Sequence, residues 1–423
     1  MIAFSIIGAA FYGNRGAEAM LSTTIGILKK EFPEAKFNVY SYYPEQDKKI
    51  LLEKAMPFIN IFSYKPIYLA TIFLFSSLLY AIFDLLKLNI LKKILPLSVK
   101  SMAESKAVIC IAGISFIDGR EKFLIYNIFS LLPPLILKVP LLKFSQALGP
   151  FHNPVNKFFA NIFLPRCTKI FTRGNITHSY FEESFPDKNF YIRADDIVFL
   201  YEKIFSYSIE SNGDFEAKKL LLKNLKLNEK TLVGICPSSV IEGYNKKIGV
   251  SYVNIVVEII ERLIQKGYTP VIFPNATKNL TSKKKHNNDL PLIQDILNGL
   301  SNKELSDCIC FYDVLNAKQI VELIEMLDIN VVSRFHSMIF SLICSVVPIV
   351  IGWSHKYLEV MSLFQMENLV IDFKNITSVF VVNQVETSLK ENDKLTAKIN
   401  KFLPKSKESA FLQFKILKDI INL

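Results

Sequence analysis

The stretch from Val331 to Met361, VVSRFHSMIFSLICSVVPIVIGWSHKYLEVM, carries two polar clusters suited to chemistry. The first holds Ser333, Arg334 and His336, and the second His355, Lys356 and Tyr357. Arginine offers a planar fork that matches carboxylate or phosphate oxygens, and histidine can move a proton near neutral pH. Each cluster follows an apolar run that reads as a buried strand, with a short apolar helix between the two. Both clusters therefore fall at carboxyl ends of strands, where open α/β sheets bind ligands. An anion site is the chemistry this pattern points to.

The elements that must position these residues can be followed from the N-terminus. Ile2 to Ile7 reads as a buried strand, followed by GAAFYGNRGAEAM and a helix to about Lys30. Gly8, Gly13 and Gly16 lack the G-x-G-x-x-G spacing of a dinucleotide loop. Two readings of this turn stay open: a tight strand-to-helix turn that needs glycine, or an anion- or sugar-contacting loop at a helix N-terminus. Its polar groups are Asn14, Arg15 and Glu18. Lys36 to Ser41 is a second strand. Val108 to Ala112 is another, ending in AGISFIDG, where Gly113 and Gly119 bracket Ser115 and Asp118. Asp118 reads either as a local cap or as a polar group presented at the sheet edge. Leu141 to Phe144 leads into SQALGPF and Gln146, and Ile170 to Thr172 ends at Arg173.

Phe205 to Lys230 reads as a linker and an exposed helix. From Thr231 the pattern starts again: a strand, TLVGIC, an amphipathic helix over Val253 to Lys266, and a strand over Pro270 to Pro274. The polar loop KKKHNNDLP, with His286, reads as a solvated face. A strand over Cys308 to Tyr312 and a helix over Ala317 to Leu327 deliver the chain to the two clusters. Pro404 to Leu423 reads as a helix packing back across the domains. Alternating strands and helices in both halves predict an α/β protein with two doubly wound, Rossmann-like domains facing a cleft. The boundary is expected near residue 210, giving domains 1–210 and 211–423.

A chain of 423 residues exceeds one ordinary core, which agrees with two domains. Half of its residues are hydrophobic, which excludes disorder. The formal charge of +11 suits an anionic lipid surface or an anionic substrate. Nucleic acid is not the expected partner, because no recognition motif for it is present. The six cysteines form no C-x-x-C pair, so metal or redox use is not expected and buried, reduced thiols are. MIAFSIIG enters a strand with no basic n-region and no small-residue cleavage site. No signal peptide is expected, and a cytoplasmic location is.

Pro66 to Phe83 runs 18 residues without a charge, before Asp84, Lys87, Lys92 and Lys93. A spanning helix needs about 20 apolar residues. Three readings compete over Pro66 to Leu97: a spanning helix, a helix in the membrane interface, and a buried helix. A span would separate Ile2–Ser41 from Val108–Ile111, which are expected to share one sheet. An interfacial or buried helical hairpin, peripheral to the inner face of the plasma membrane, is therefore favoured. Leu124 to Leu137 is too short to span and reads as core.

SRFH (Ser333–His336) and GWSHKY (Gly352–Tyr357) resemble motifs of the polysaccharide pyruvyl transferases. So do GNRGAEAM (Gly13–Met20), AGISFIDG (Ala112–Gly119) and SQALGPF (Ser145–Phe151), in the same order. The resemblance spans most of the chain and implies a two-domain fold like the GT-B glycosyltransferases. It also implies transfer of a pyruvyl group from phosphoenolpyruvate to a sugar or lipid-linked glycan acceptor. The products are a pyruvate ketal and phosphate, with no cofactor and no metal. Within that resemblance, Arg334 and Arg173 would grip the donor's phosphate and carboxylate, and His336 would be the acid or a phosphate partner. His355 and Lys356 would complete the positive crevice. Asp118 would bind or deprotonate a sugar hydroxyl, and Asn14, Ser115 and Gln146 would contact the acceptor.

Other readings stay open. Arg334 and His336 fit a structural pair at a strand end, His355 fits a helix cap, and Trp353 fits packing. A nucleotide-sugar glycosyltransferase of the same architecture is the alternative enzyme. A membrane-surface scaffold in glycan assembly is the non-enzymatic alternative.

Overall fold

The computed structural model describes residues 2–54, 56–186, 188–206, 213–278 and 287–421 of the 423. His286 and Lys283 to Lys285 lie outside the described residues. The described chain forms two compact units: residues 1–12, 17–207 and 407–423 in the first, and residues 13–16 and 208–406 in the second.

The first unit is a parallel sheet of eight strands: β1 (Ala3–Ile7), β2 (Lys36–Ser41), β3 (Ile59–Ser63), β4 (Ala107–Cys110), β5 (Ile114–Ile117), β6 (Leu141–Gly149), β7 (Lys169–Arg173) and β8 (Tyr191–Ala194). The spatial order is β3-β2-β1-β4-β6-β7-β8, with β5 beside β6. Near-continuous apolar runs such as AFSII and AVIC suit strands covered on both faces. Their few polar positions are satisfied by the helix Leu97–Ala103 and the turn after it, packed on the sheet. The Ser5 and Ser105 hydroxyls are 2.8 Å apart, and Asn38 Nδ2 donates to the Ser101 carbonyl at 3.2 Å. SQALGPF, expected to follow the strand Leu141–Phe144, is itself strand as far as Gly149, because β6 continues along β5 and β7.

Pro66–Leu85 is one helical run with a π-helical turn at Leu69–Phe73. Leu69 and Phe73 fasten it to the core, where the Phe73 ring meets Tyr40 at 5.5 Å and Tyr64 at 5.7 Å. Tyr68, Leu74, Leu79, Tyr80 and Phe83 are half-buried, and Ile67, Ile72, Phe75, Leu78, Ile82 and Leu85 are exposed. Only 22% of its most apolar window is buried, so it is not a core helix. Leu124–Ile136, expected as core, is a helix buried on one face through Leu124, Ile128 and Leu131, while Ile125 is exposed.

The second unit is a parallel sheet of six strands: β9 (Leu232–Cys236), β10 (Thr269–Ile272), β11 (Ile309–Cys310), β12 (Ile329–Val332), β13 (Val347–Gly352) and β14 (Val370–Asp372). Its order is β11-β10-β9-β12-β13-β14, so β9, β12 and β13 are neighbours at its centre. The strand expected over Cys308 to Tyr312 shortens to two residues at the sheet edge.

The final helix, Asn392–Ile420, begins in the second unit and ends in the first. Residues 407–421 were expected to belong to the second domain. They group with the first because Gln413 and Phe414 are bound there. Gln413 Nε2 donates to Ser145 Oγ at 2.8 Å and to the Asp195 carbonyl at 2.9 Å, and the Phe414 ring lies 5.3 Å from Phe144.

Candidate functional site

Three adjacent strands of the second unit each end in a short polar turn that opens a helix. After β9, Pro237 and Ser238 lead to the helix Ser239–Lys247, where Ser238 caps by accepting from the Val240 N–H. After β12, Ser333 and Arg334 lead to Phe335–Ile343. After β13, Trp353 and Ser354 lead to His355–Leu363. Three helix N-termini therefore gather along one edge of one sheet. The positive dipole ends there favour an anion. This is the edge at which the sequence placed Arg334, His336, His355 and Lys356.

Arg334 is nearly buried, and its planar fork faces Asp289, which has no exposure. Nε donates to Asp289 Oδ2 at 3.0 Å, and Nη2 donates to Asp289 Oδ1. The remaining guanidinium bonds go to Asn287 Oδ1 at 3.1 Å and Ser239 Oγ at 3.0 Å. Burial alone would lower the arginine's pKa, but the Asp289 charge and hydrogen bonds outweigh it and the pKa is raised. The guanidinium expected to grip a donor is thus committed to a protein carboxylate. Its neighbour Ser333 is held from two sides, by the Tyr252 hydroxyl at 2.7 Å from Oγ and by the Tyr357 hydroxyl at 3.3 Å from the carbonyl.

Asp289 was missed in the sequence because it reads as one acid in a lysine-rich polar loop. The available signal was Asp-Leu-Pro opening a helix, since proline suits a first helical turn. Besides Arg334, Asp289 accepts from the backbone N–H groups of Ser239 (3.0 Å), Ala276 (2.8 Å) and Asn275 (3.3 Å).

Through Asn275–Thr277 the circuit reaches the glycine loop. The Arg15 N–H donates to the Asn275 carbonyl at 3.2 Å, the Thr277 N–H donates to the Gly13 carbonyl at 2.8 Å, and Asn14 bridges Ala276. Arg15 Nη2 adds a bond to Thr277 Oγ1 at 3.1 Å. Asn14, expected to contact an acceptor, accepts from the Gly16 N–H through Oδ1 at 2.9 Å and so closes its own turn. Gly16 then backs onto His336: a β-carbon added there would overlap the imidazole. Gly16 is required by this close approach, and its backbone conformation does not demand glycine. The half-buried His336 is thus set by a closed chain of contacts through Gly16, residues 275–277, Asp289 and Arg334.

His355 is exposed at the first position of its helix, with Nε2 3.8 Å from Glu359 Oε2. Lys356 lies over three rings, 4.8 Å from Trp353, 4.9 Å from Phe335 and 5.4 Å from Tyr357. Its ammonium is held by aromatic faces at the end of β13. Trp353 also packs on Tyr244 at 5.3 Å. Cys236, at the end of β9, is buried, and burial pushes its thiol up to about 12. It stays protonated and is no nucleophile.

The other expected residues lie in the first unit. Arg173 ends β7 and is buried against Asp196, with Nη1 2.9 Å from Oδ2. Asp118 accepts from the N–H groups of His152 (2.7 Å) and Asn153 (3.0 Å) through Oδ2, and from Asn156 Nδ2 (2.6 Å) through Oδ1. Both its oxygens secure the loop before the helix Pro154–Phe163, a task nearer the cap reading than the sugar ligand or base. Ser115 Oγ donates to Gln146 Oε1 at 2.7 Å, and Gln146 Nε2 donates to the Cys110 carbonyl at 2.9 Å. Gln146 is fully buried and ties β4 to β6.

A family model described as polysaccharide pyruvyl transferase matches residues 14–355. Comparison with curated protein sequences finds no match. Among solved structures, a putative UDP-N-acetylglucosamine 2-epimerase from Listeria monocytogenes is similar at 10% identity and a TM-score of 0.61, covering 98% of this chain and 94% of its own. UDP-GlcNAc 2-epimerase from Neisseria meningitidis, bound to UDP-GlcNAc, matches at 12% identity and a TM-score of 0.59 over 100% of both chains. A ugt transferase from Siraitia grosvenorii, in complex with UDP, matches at 11% identity and a TM-score of 0.56 over 100% of both. These likenesses are to a GT-B-like fold.

Proposed function

The chain belongs to the polysaccharide pyruvyl transferase family, and we propose that it transfers the pyruvyl group of phosphoenolpyruvate to a sugar of a polysaccharide or glycan precursor, forming a ketal. The observation that carries this reading is the convergence of three helix N-termini at the ends of β9, β12 and β13, with His336 and Lys356 beside them. A small, highly charged donor with phosphate and carboxylate groups suits such an edge. Arg334 contributes by position, because Asp289 already engages its fork.

The reaction balances without a redox partner. One sugar hydroxyl adds across the enol, its oxygen bonding to C2 while C3 gains a proton from the imidazolium, and the hydroxyl's own proton returns to the imidazole. A second hydroxyl then bonds to C2 as the C2–O bond to phosphate breaks, and its proton leaves with the phosphate. His336 is the group that delivers the proton to C3, acting as a general acid. It is held for that role against Gly16, two residues beyond the Asp289–Arg334 pair.

A nucleotide-sugar glycosyltransferase is the competing reading, because two of the similar structures hold UDP or a UDP-sugar. Incubation with phosphoenolpyruvate and glycan acceptors, with UDP-sugars in parallel, separates the two. Phosphate release with a ketal in the product supports pyruvyl transfer. Nucleoside diphosphate release, with phosphoenolpyruvate untouched, rejects it.

A further inference from the structure

The helical run Pro66–Leu85 is apolar on both faces. Leu69, Phe73, Ser76 and Ser77 face inward and are buried, while Ile67, Ile72, Phe75, Leu78, Ile82 and Leu85 face outward. Phe75 is 62% exposed and Leu85 79%. The exposed apolar surface continues through Leu86, Leu88, Ile90, Leu91, Ile94 and Leu97. Soluble proteins rarely leave a contiguous patch of this kind open, and where they do it marks an interaction site.

We propose that this face docks the protein onto an anionic bilayer, lying in the interface without crossing it. Three observations select that occupant. The first is charge: from Lys65 to Lys100 the segment carries five lysines against the one acid Asp84; Lys92 pairs with Asp84 at 2.7 Å and Lys65 with Glu45 at 2.9 Å, so the net positive charge lies on Lys87, Lys93 and Lys100. Lysines bordering an apolar face reach acidic headgroups while their stems lie along the hydrocarbon. The second is the state of a hydroxyl. Thr71, on the exposed face, donates Oγ1 to the Ile67 carbonyl at 2.6 Å. This hydroxyl is satisfied within its own helix, as hydrocarbon surroundings require. It is not offered to orient a protein partner, whose interface would carry a polar rim.

The third observation is topological and fixes the mode. β3, just before the helix, pairs β2, and β4, just after it, pairs β1 in the same parallel sheet. The chain therefore leaves and re-enters one sheet on one side of any membrane. Pro66–Leu85 is long and apolar enough to span, but a span would carry β4 away from β1.

Flotation of the full chain with vesicles tests the proposal without knowledge of the reaction. The protein is expected to float with phosphatidylglycerol-containing vesicles and much less with phosphatidylcholine alone. Binding to the anionic vesicles should weaken at high salt, as screened headgroup attraction does. The double variant Phe75→Glu, Ile82→Glu changes two exposed side chains and should fold as the parent does. It should lose at least about tenfold in vesicle partition, because two apolar insertions become charged. Absence of binding to anionic vesicles would overturn the proposal, and so would a double variant that binds equally well. Dimerisation of the parent in solution, abolished by the same double variant with no vesicle binding, would assign the face to a second copy. Extraction that requires detergent and resists salt and alkaline carbonate would replace docking by spanning.

Discussion

The imidazole of His336 lies against the α-carbon of Gly16, close enough that no side chain fits between them. A residue near the start of the chain thereby sets the position of a titratable group on the helix after β12. Gly16→Ala would push the ring out of place. Overpacking costs about 1–3 kcal/mol of stability, and a misplaced proton donor slows turnover on the order of hundredfold. The variant should still fold, with its unfolding midpoint lowered by that packing cost while kcat drops. Normal turnover would show that the ring position does not matter.

Asp289 and Arg334 are buried together and share two hydrogen bonds. Removing one partner leaves an uncompensated buried charge, at about 3–5 kcal/mol. Asp289→Ala should therefore lower the unfolding midpoint strongly. Arg334→Lys keeps the charge but cannot reproduce the fork and should lose both stability and activity. If Arg334→Lys lost donor affinity while its stability matched the parent, the guanidinium would be gripping the donor and not the fold.

For His336, substitution distinguishes proton transfer from simple hydrogen bonding. Glutamine donates and accepts hydrogen bonds but does not carry a proton at neutral pH. If His336 is the general acid, His336→Gln and His336→Ala should both lose kcat to a similar, large extent. A glutamine variant that keeps most of its kcat would leave hydrogen bonding as the role. An effect confined to KM would place the residue in donor binding.

Asp47 provides a pH test in the first unit. Its carboxylate is buried and accepts from the Tyr12 N–H at 2.9 Å. Burial raises its pKa from 3.8 to about 6. Between these values the folded state holds a proton that the unfolded state has released, so stability falls as pH rises. The contribution is full below about pH 4 and lost by about pH 6, amounting to roughly 3 kcal/mol at most. Asp47→Asn should flatten that part of the stability profile, measured by urea unfolding from pH 4 to 7. An unchanged slope in the variant would show that Asp47 is not the group responsible.

The sequence by itself determined what depends on local pattern. Apolar runs with polar ends gave the central strands β1, β2, β9, β12 and β13 and the helices that follow them, because strand and helix periods are written into neighbouring residues. It also placed Arg334, His336, His355 and Lys356 at strand ends. The short strands β3, β5, β8 and β14 carried too little pattern to stand out.

Tertiary structure decided which partner each polar group takes. Arg334 read either as a donor clamp or as part of a structural pair, and the partner that engages its fork, Asp289, was hidden in a polar loop. Asp118 read either as a cap or as a sugar ligand or base, and the fold brings His152, Asn153 and Asn156 to its two oxygens. Gly16 looked like a turn residue, and only the placement of His336 shows that it is an approach residue. Residues 407–421 were assigned by chain order to the second domain, but Gln413 and Phe414 bind in the first unit. The apolar run at Pro66 carried no sign of which face would be covered, since burial depends on what packs against Leu69 and Phe73. Secondary structure follows from residues a few places apart. Hydrogen-bond partners and exposure are set by groups that only folding brings together, and one sequence holds no local record of them.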